Sequence, residues 1–102
     1  MSLVNIGSLH RQTLQILAKT ESPAGIELSS YKRNRSIAIA VLTDNHVMIW
    51  EKGYMEAEMI VDINELPKLL KTMIKREFPR SRKVRIHKFS DPIELDRTRK
   101  KL

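Results

Sequence analysis

Residues 36–63 leave the backbone few choices. Three runs of strand-like composition, 36–42 (SIAIAVL), His46–Lys52 (HVMIWEK) and 54–63 (YMEAEMIVDI), follow one another with almost no chain between them. Parallel neighbours need a crossover of a dozen or more residues, so runs this close can only fold back antiparallel. Asp44-Asn45 and Lys52-Gly53 contain residue types that tolerate positive φ, and the simplest reading makes each pair a two-residue hairpin loop. That reading sets Val41 opposite Met48, Ile39 opposite Trp50 and Met48 opposite Ala57. Side chains alternate along a strand. One face is then predicted to hold Ile37, Ile39, Val41, Met48, Trp50, Met55, Ala57, Met59, Val61 and Ile63, and to form the core. The other face carries Ala38, Ala40, Leu42, Val47, Ile49, Tyr54, Glu56, Glu58 and Ile60.

The next segment is helical by spacing. Leu66, Leu69, Leu70, Met73, Ile74 and Phe78 recur as one apolar stripe. Asn64 is the expected N-cap, Pro67 falls in the first turn where its missing N–H costs little, and Pro79 ends the helix, giving a span of 65–78. This helix is expected to cover the apolar face of the meander. A weaker, imperfect stripe of Leu9, Thr13, Leu14, Ile16 and Leu17 predicts an N-terminal helix over 8–19, capped by Ser8, after an extended or frayed start at 1–7. Residues 25–31 read as a first strand with Ile26 and Leu28 on one face. Residues 83–89 (KVRIHKF) alternate cleanly and read as a late strand, whose charged face suits a sheet edge. Asp91, Pro92 and Glu94 resemble a capping box opening a short helix over 92–99, within a C-terminal tail of 91–102.

The expected architecture is therefore a single α+β domain over 1–102, with its core in 26–89. It is an antiparallel four- to five-stranded sheet with an amphipathic helix packed on one face and an N-terminal helix. The 102 residues suffice for one core. No apolar run reaches the roughly 18 residues of a membrane span. No signal-peptide pattern opens the chain, so a cytoplasmic location is the expectation. Cysteine is absent, which excludes disulfides and thiolate chemistry.

Charge is the clearest functional hint. Residues 1–63 carry six Lys/Arg against seven Asp/Glu, whereas residues 64–102 carry thirteen against five. Arg33 and Arg35 form one basic turn, and Arg80, Arg82, Lys83, Arg85 and Lys88 a second run. Guanidinium forks suit phosphate, so these seven residues are the candidate contacts for RNA, DNA or another polyanion, with Tyr31 and Tyr54 as candidate stacking residues. The alternative, from a different class, is a homodimer or protein-interaction module built on Ala38, Ala40, Leu42, Val47, Ile49 and Ile60, unless the N-terminal helix covers that face.

Chemistry has little support in the residues. His10, His46 and His87 share no ligand spacing, so neither a metal nor a cofactor is expected. The serines lack a strained nucleophile turn, and Gly7, Gly25 and Gly53 are isolated rather than gathered in a phosphate loop. A non-enzymatic protein is the expectation. An enzyme would require the fold to assemble Glu56, Glu58, His87 and an arginine in one cleft.

Overall fold

The computed structural model describes residues 2–30, 32, 34–43 and 45–93. It is an α+β fold with helices packed on a sheet. Strand β1 (Ser2–Asn5) leads directly into helix α1 (Ile6–Ala18). Strands β2 (Gly25–Ser29), β3 (Ser36–Val41), β4 (His46–Lys52) and β5 (Glu56–Asp62) follow, then helix α2 (Leu66–Glu77) and strand β6 (Lys83–Phe89). Among the described residues the sheet has six strands in the order β1-β6-β2-β3-β4-β5, every pair antiparallel.

Three expectations are corrected here, and the sheet has six strands rather than four or five. The start expected as extended or frayed is extended and paired: it forms a strand, four residues long, against β6 from Ser2 opposite Ile86 to Asn5 opposite Lys83. Strand β6 is consequently not an edge: it lies between β1 and β2, and the edges are β1 and β5. The first helix also starts two residues early. Asn5, not Ser8, caps it, its side-chain oxygen accepting from the Gly7 N–H at 2.9 Å.

The hairpins set the faces, and the first one shifts. The β3–β4 loop spans 43–45 rather than two residues. The Thr43 hydroxyl accepts from the N–H groups of Asn45 (3.2 Å) and His46 (3.1 Å), closing a turn one residue longer than Asp44-Asn45 alone. Val41 therefore faces Val47, Ile39 faces Ile49 and Ala38 faces Trp50. Because a one-residue slip exchanges the faces of a strand, Val47 and Ile49 enter the core, both fully buried, while Met48 and Trp50 turn to the opposite face. The second loop spans 53–55, so Lys52 faces Glu56. Met55, expected in the core, sits in this loop and is 43% exposed. The three-residue shift on top of the first restores parity: Met59, Val61 and Ile63 pack on the core as the alternation predicted.

Both helices cover the same face of the sheet. Leu9 and Leu17 of α1 join Leu66, Leu70, Met73 and Ile74 of α2, together with Ile26, Leu28, Ile37, Ile39, Val84 and Ile86 from below. The His10 ring nitrogen Nε2 lies 2.6 Å from the Pro67 carbonyl oxygen and bridges the two helices. The N-terminal helix thus does not cover the opposite face. There Ala38 and Ala40 are buried instead by a small cluster with Phe89 and Trp50, and the Trp50 indole N–H donates to Glu58 Oε2 at 2.6 Å.

Gly25 is where this second cluster is tightest. A Cβ there would run into the Ile39 carbonyl, Ala40 Cα and the Phe89 ring. Gly25→Ala is expected to destabilise the domain by about 2 kcal/mol through overpacking, read as a lower urea midpoint at unchanged slope. An unmoved midpoint would show that ring and strand can separate without cost.

Among the described residues no helix is long and apolar enough to cross a membrane. The short C-terminal helix expected over 92–99 lies, from residue 94 onward, outside the described residues. Within the described residues, Asp91 Oδ1 accepts from the Ile93 N–H at 3.0 Å.

Candidate functional site

Two loops separated by some fifty residues of chain meet at one end of the sheet. The β2–β3 connection folds on itself: the Ser30 N–H donates to the Arg35 carbonyl at 3.0 Å, and the Ser30 hydroxyl donates to Asn34 Oδ1 at 2.9 Å. The α2–β6 connection is pinned on its far side, where the Ile6 N–H donates to the Arg82 carbonyl at 2.8 Å. Arg35 NH1 spans the two, donating to the Glu77 carbonyl at 3.3 Å at the C-terminal end of α2, where the helix dipole favours a cation. Between them lies a cleft of about 970 Å³, lined by Lys32, Arg35, Arg80, Arg82 and Lys83, with Ser30, Asn34 and Ser81 between the charges.

Four of the seven sequence-predicted basic residues, Arg35, Arg80, Arg82 and Lys83, are thereby brought together, and Lys32 joins them. Of the other three, Arg85 and Lys88 are not gathered there. Arg33 and the candidate stacking residue Tyr31 lie outside the described residues. Arg85 stands opposite Ser29 and Leu3, on the sheet face away from the helices. Lys88 lies near the far end of β6, where it lines a separate cavity with Gln15, Lys19 and Glu21.

The residues proposed for self-association are also divided. Val47 and Ile49 face the helices. Ala38 and Ala40 lie under Phe89 and Trp50, while Leu42 is 36% and Ile60 58% exposed. Nor do Glu56, Glu58 and His87 share a cleft. His87 and Glu58 lie on one row of the sheet with Glu27, Ala38 and Trp50 between them, four strand spacings or roughly 19 Å apart. Among the described residues no group of His, Asp and Glu is placed to hold a metal ion.

One constellation escaped the sequence reading. Glu51 and Glu77 are both buried, at 2% and 1% exposure. Arg76 grips Glu51 with two parallel bonds, Nε to Oε2 at 2.8 Å and NH2 to Oε1 at 2.7 Å. Glu77 hydrogen-bonds Glu51, and its carboxyl oxygens also accept the backbone N–H groups of Tyr54 (2.9 Å) and Met55 (3.2 Å). Burial pushes the Glu77 carboxyl above the ordinary 4.5, its bond with Glu51 pushes it further, and the two backbone donors only partly oppose this. Burial also pushes Glu51 upward, but the bonds from Arg76 and Glu77 and the guanidinium charge outweigh it, so its pKa falls below 4.5. The two carboxyls are therefore displaced in opposite directions, Glu77 keeping its proton more readily than Glu51. A signal for it was present: Glu77 continues the 66, 70, 73 stripe of α2, and Glu51 continues the 47, 49 alternation of β4. A carboxylate interrupting both stripes marks a buried pair.

Glu77 links this pair to the cleft, since it lines the cleft wall while holding the β4–β5 loop. Arg35 packs against the same loop, where its side chain and the Glu77 carboxyl leave no room for a Cβ on Gly53, itself at φ +154°. No known family model, no curated protein and no solved structure matches the chain.

Proposed function

We propose that this chain is a non-enzymatic binding module for a polyanionic backbone, RNA or DNA, seated in the cleft between the 30–35 and 79–83 loops. The observation that supports this reading is convergence: two basic runs far apart in sequence line one concave surface. Like charges repel, so a fold that gathers five of them leaves a potential that only an anion relieves. Flexible Lys and Arg ends on a cleft wall match the phosphate spacing of a nucleic-acid chain more readily than one small anion. Contacts of this kind position a backbone and carry little sequence selectivity.

Binding to fluorescent oligonucleotides, titrated against salt, tests the proposal. About four phosphate contacts give a slope of log K on log salt of roughly −3 for a single strand. Arg80→Glu with Arg82→Glu, both exposed in the fold, is expected to weaken binding at least about a hundredfold at low salt and to flatten that slope, with an unchanged melting temperature. Absence of binding at low salt, or full binding by the double variant, would refute the cleft as a polyanion site.

A further inference from the structure

The loop beside the cleft is built in an unusual way. Its tip residues Tyr54 and Met55 are large and exposed, Tyr54 at 71%. Side chains so exposed contribute little to the core, and nothing in the hairpin's own pairing requires them. Yet the backbone of both is held by a buried carboxyl from another element: Glu77 accepts one N–H from each. Gly53, at positive φ, lets the chain pass close over Glu77 and Arg35. Burying a carboxyl is costly unless it is fully hydrogen-bonded, and here the bonds serve to fix the course of two residues whose side chains point to solvent. The same Glu77 and Arg35 line the basic cleft. An exposed aromatic side chain is thus carried on a backbone fastened to a residue that lines the cationic cleft. Single-strand binders combine these two parts: charge for the phosphates, and an exposed ring for an unpaired base. A duplex keeps its bases stacked inside and offers such a ring no partner.

We infer that the ligand of the cleft is single-stranded nucleic acid, and that Tyr54 at the β4–β5 tip stacks on one of its bases. This rests on the reading of the cleft as a polyanion site, and it adds the strand class and a residue that discriminates it. Aromatic stacking is tolerant of sequence because every base has a π-face, so selectivity among bases is low. Met55, also exposed, extends the apolar surface beside the ring.

The test compares three probes of one length, about 12 nucleotides, within the range of single-strand sites: a labelled single strand, its duplex, and an abasic phosphodiester strand. The wild-type protein is expected to bind the single strand about tenfold more tightly than the abasic strand, and more tightly than the duplex. Tyr54→Ala is expected to lose that base-dependent advantage while binding the abasic strand as before; Tyr54→Phe keeps the ring and is expected to retain it. Tyr54 is exposed, so these variants leave the core intact, and a melting curve for each checks this. Equal binding of base-containing and abasic strands overturns the inference but leaves the cleft reading standing. So does an advantage that survives Tyr54→Ala, or a preference for duplex. Failure of all three probes to bind overturns both.

Discussion

Met73→Asp is expected to abolish the cooperative unfolding transition altogether. Met73 is fully buried at the centre of the α2 stripe, between Leu70 and Glu77, against the core that both helices share. Truncating such a side chain costs about 2–5 kcal/mol, and an unpaired carboxyl left in its place adds several more. Together these match the whole stability of a domain this size, about 5–15 kcal/mol. The check is a thermal or urea melt followed by circular dichroism. Lys71→Asp is the control: it places the same side chain two residues away on an exposed position and is expected to shift stability by no more than about 0.5 kcal/mol. A Met73→Asp protein that melts like its parent would refute the packing of α2 on the sheet.

The second large effect belongs to Arg76. Replacing it by Met keeps the aliphatic stem but leaves Glu51 buried without its guanidinium, and the expected loss at neutral pH is about 3 kcal/mol, or roughly 10–20 °C in Tm. The pH dependence carries a definite sign. The pKa of Glu51 is depressed, so its contribution is present above the ordinary 4.5 and is lost as the pH falls through its folded value. The gap between wild type and Arg76→Met should therefore be widest at neutral pH and close on acidification. Glu77 has the opposite sign. Its pKa is raised, so its contribution is complete below 4.5 and is lost as the pH rises through its folded value. Glu77→Gln resembles the protonated acid and does not titrate. The wild-type margin over this variant should shrink as the pH rises above the ordinary 4.5 and through the folded value of Glu77. A margin that stays flat with pH would mean that burial against Glu51 does not raise the Glu77 carboxyl.

These two effects also show where the residues were legible. The α2 stripe is a local pattern, and Met73 was assignable to the core from spacing alone. The carboxyl pair was harder to read: Glu77 does continue the α2 stripe, but the 47, 49 alternation that Glu51 continues becomes a core face only once the β3–β4 register is set. The basic cleft falls between these cases. Its residue types and its two runs are plain in the chain, and the bias toward 64–102 pointed to them. That Lys32 and Arg35 face 80–83, while Arg85 and Lys88 do not, follows from β6 entering the sheet beside β2.

What the sequence by itself determined is everything carried by short-range periodicity: the existence of both helices, the strands β2 to β6, the antiparallel sense of the meander, and the core faces of β3 and β5. These depend on bonds and side-chain spacing within a few residues, which the chain states directly. The tertiary structure decided the rest. The β3–β4 register followed the Thr43 hydroxyl rather than Asp44-Asn45, a local competition between two workable turns that moved Val47 and Ile49 inward. The β4–β5 loop took its form from Glu77, whose acceptors arrive from a helix more than twenty residues later. Strand β1, too short and unpatterned to stand out, became a strand because β6 offered it a partner some eighty residues away. For the β4–β5 loop and β1 the deciding hydrogen-bond partner lies outside the window in which propensity and periodicity act, and for the β3–β4 turn two local closures were both workable, so in each case the assembled sheet chose.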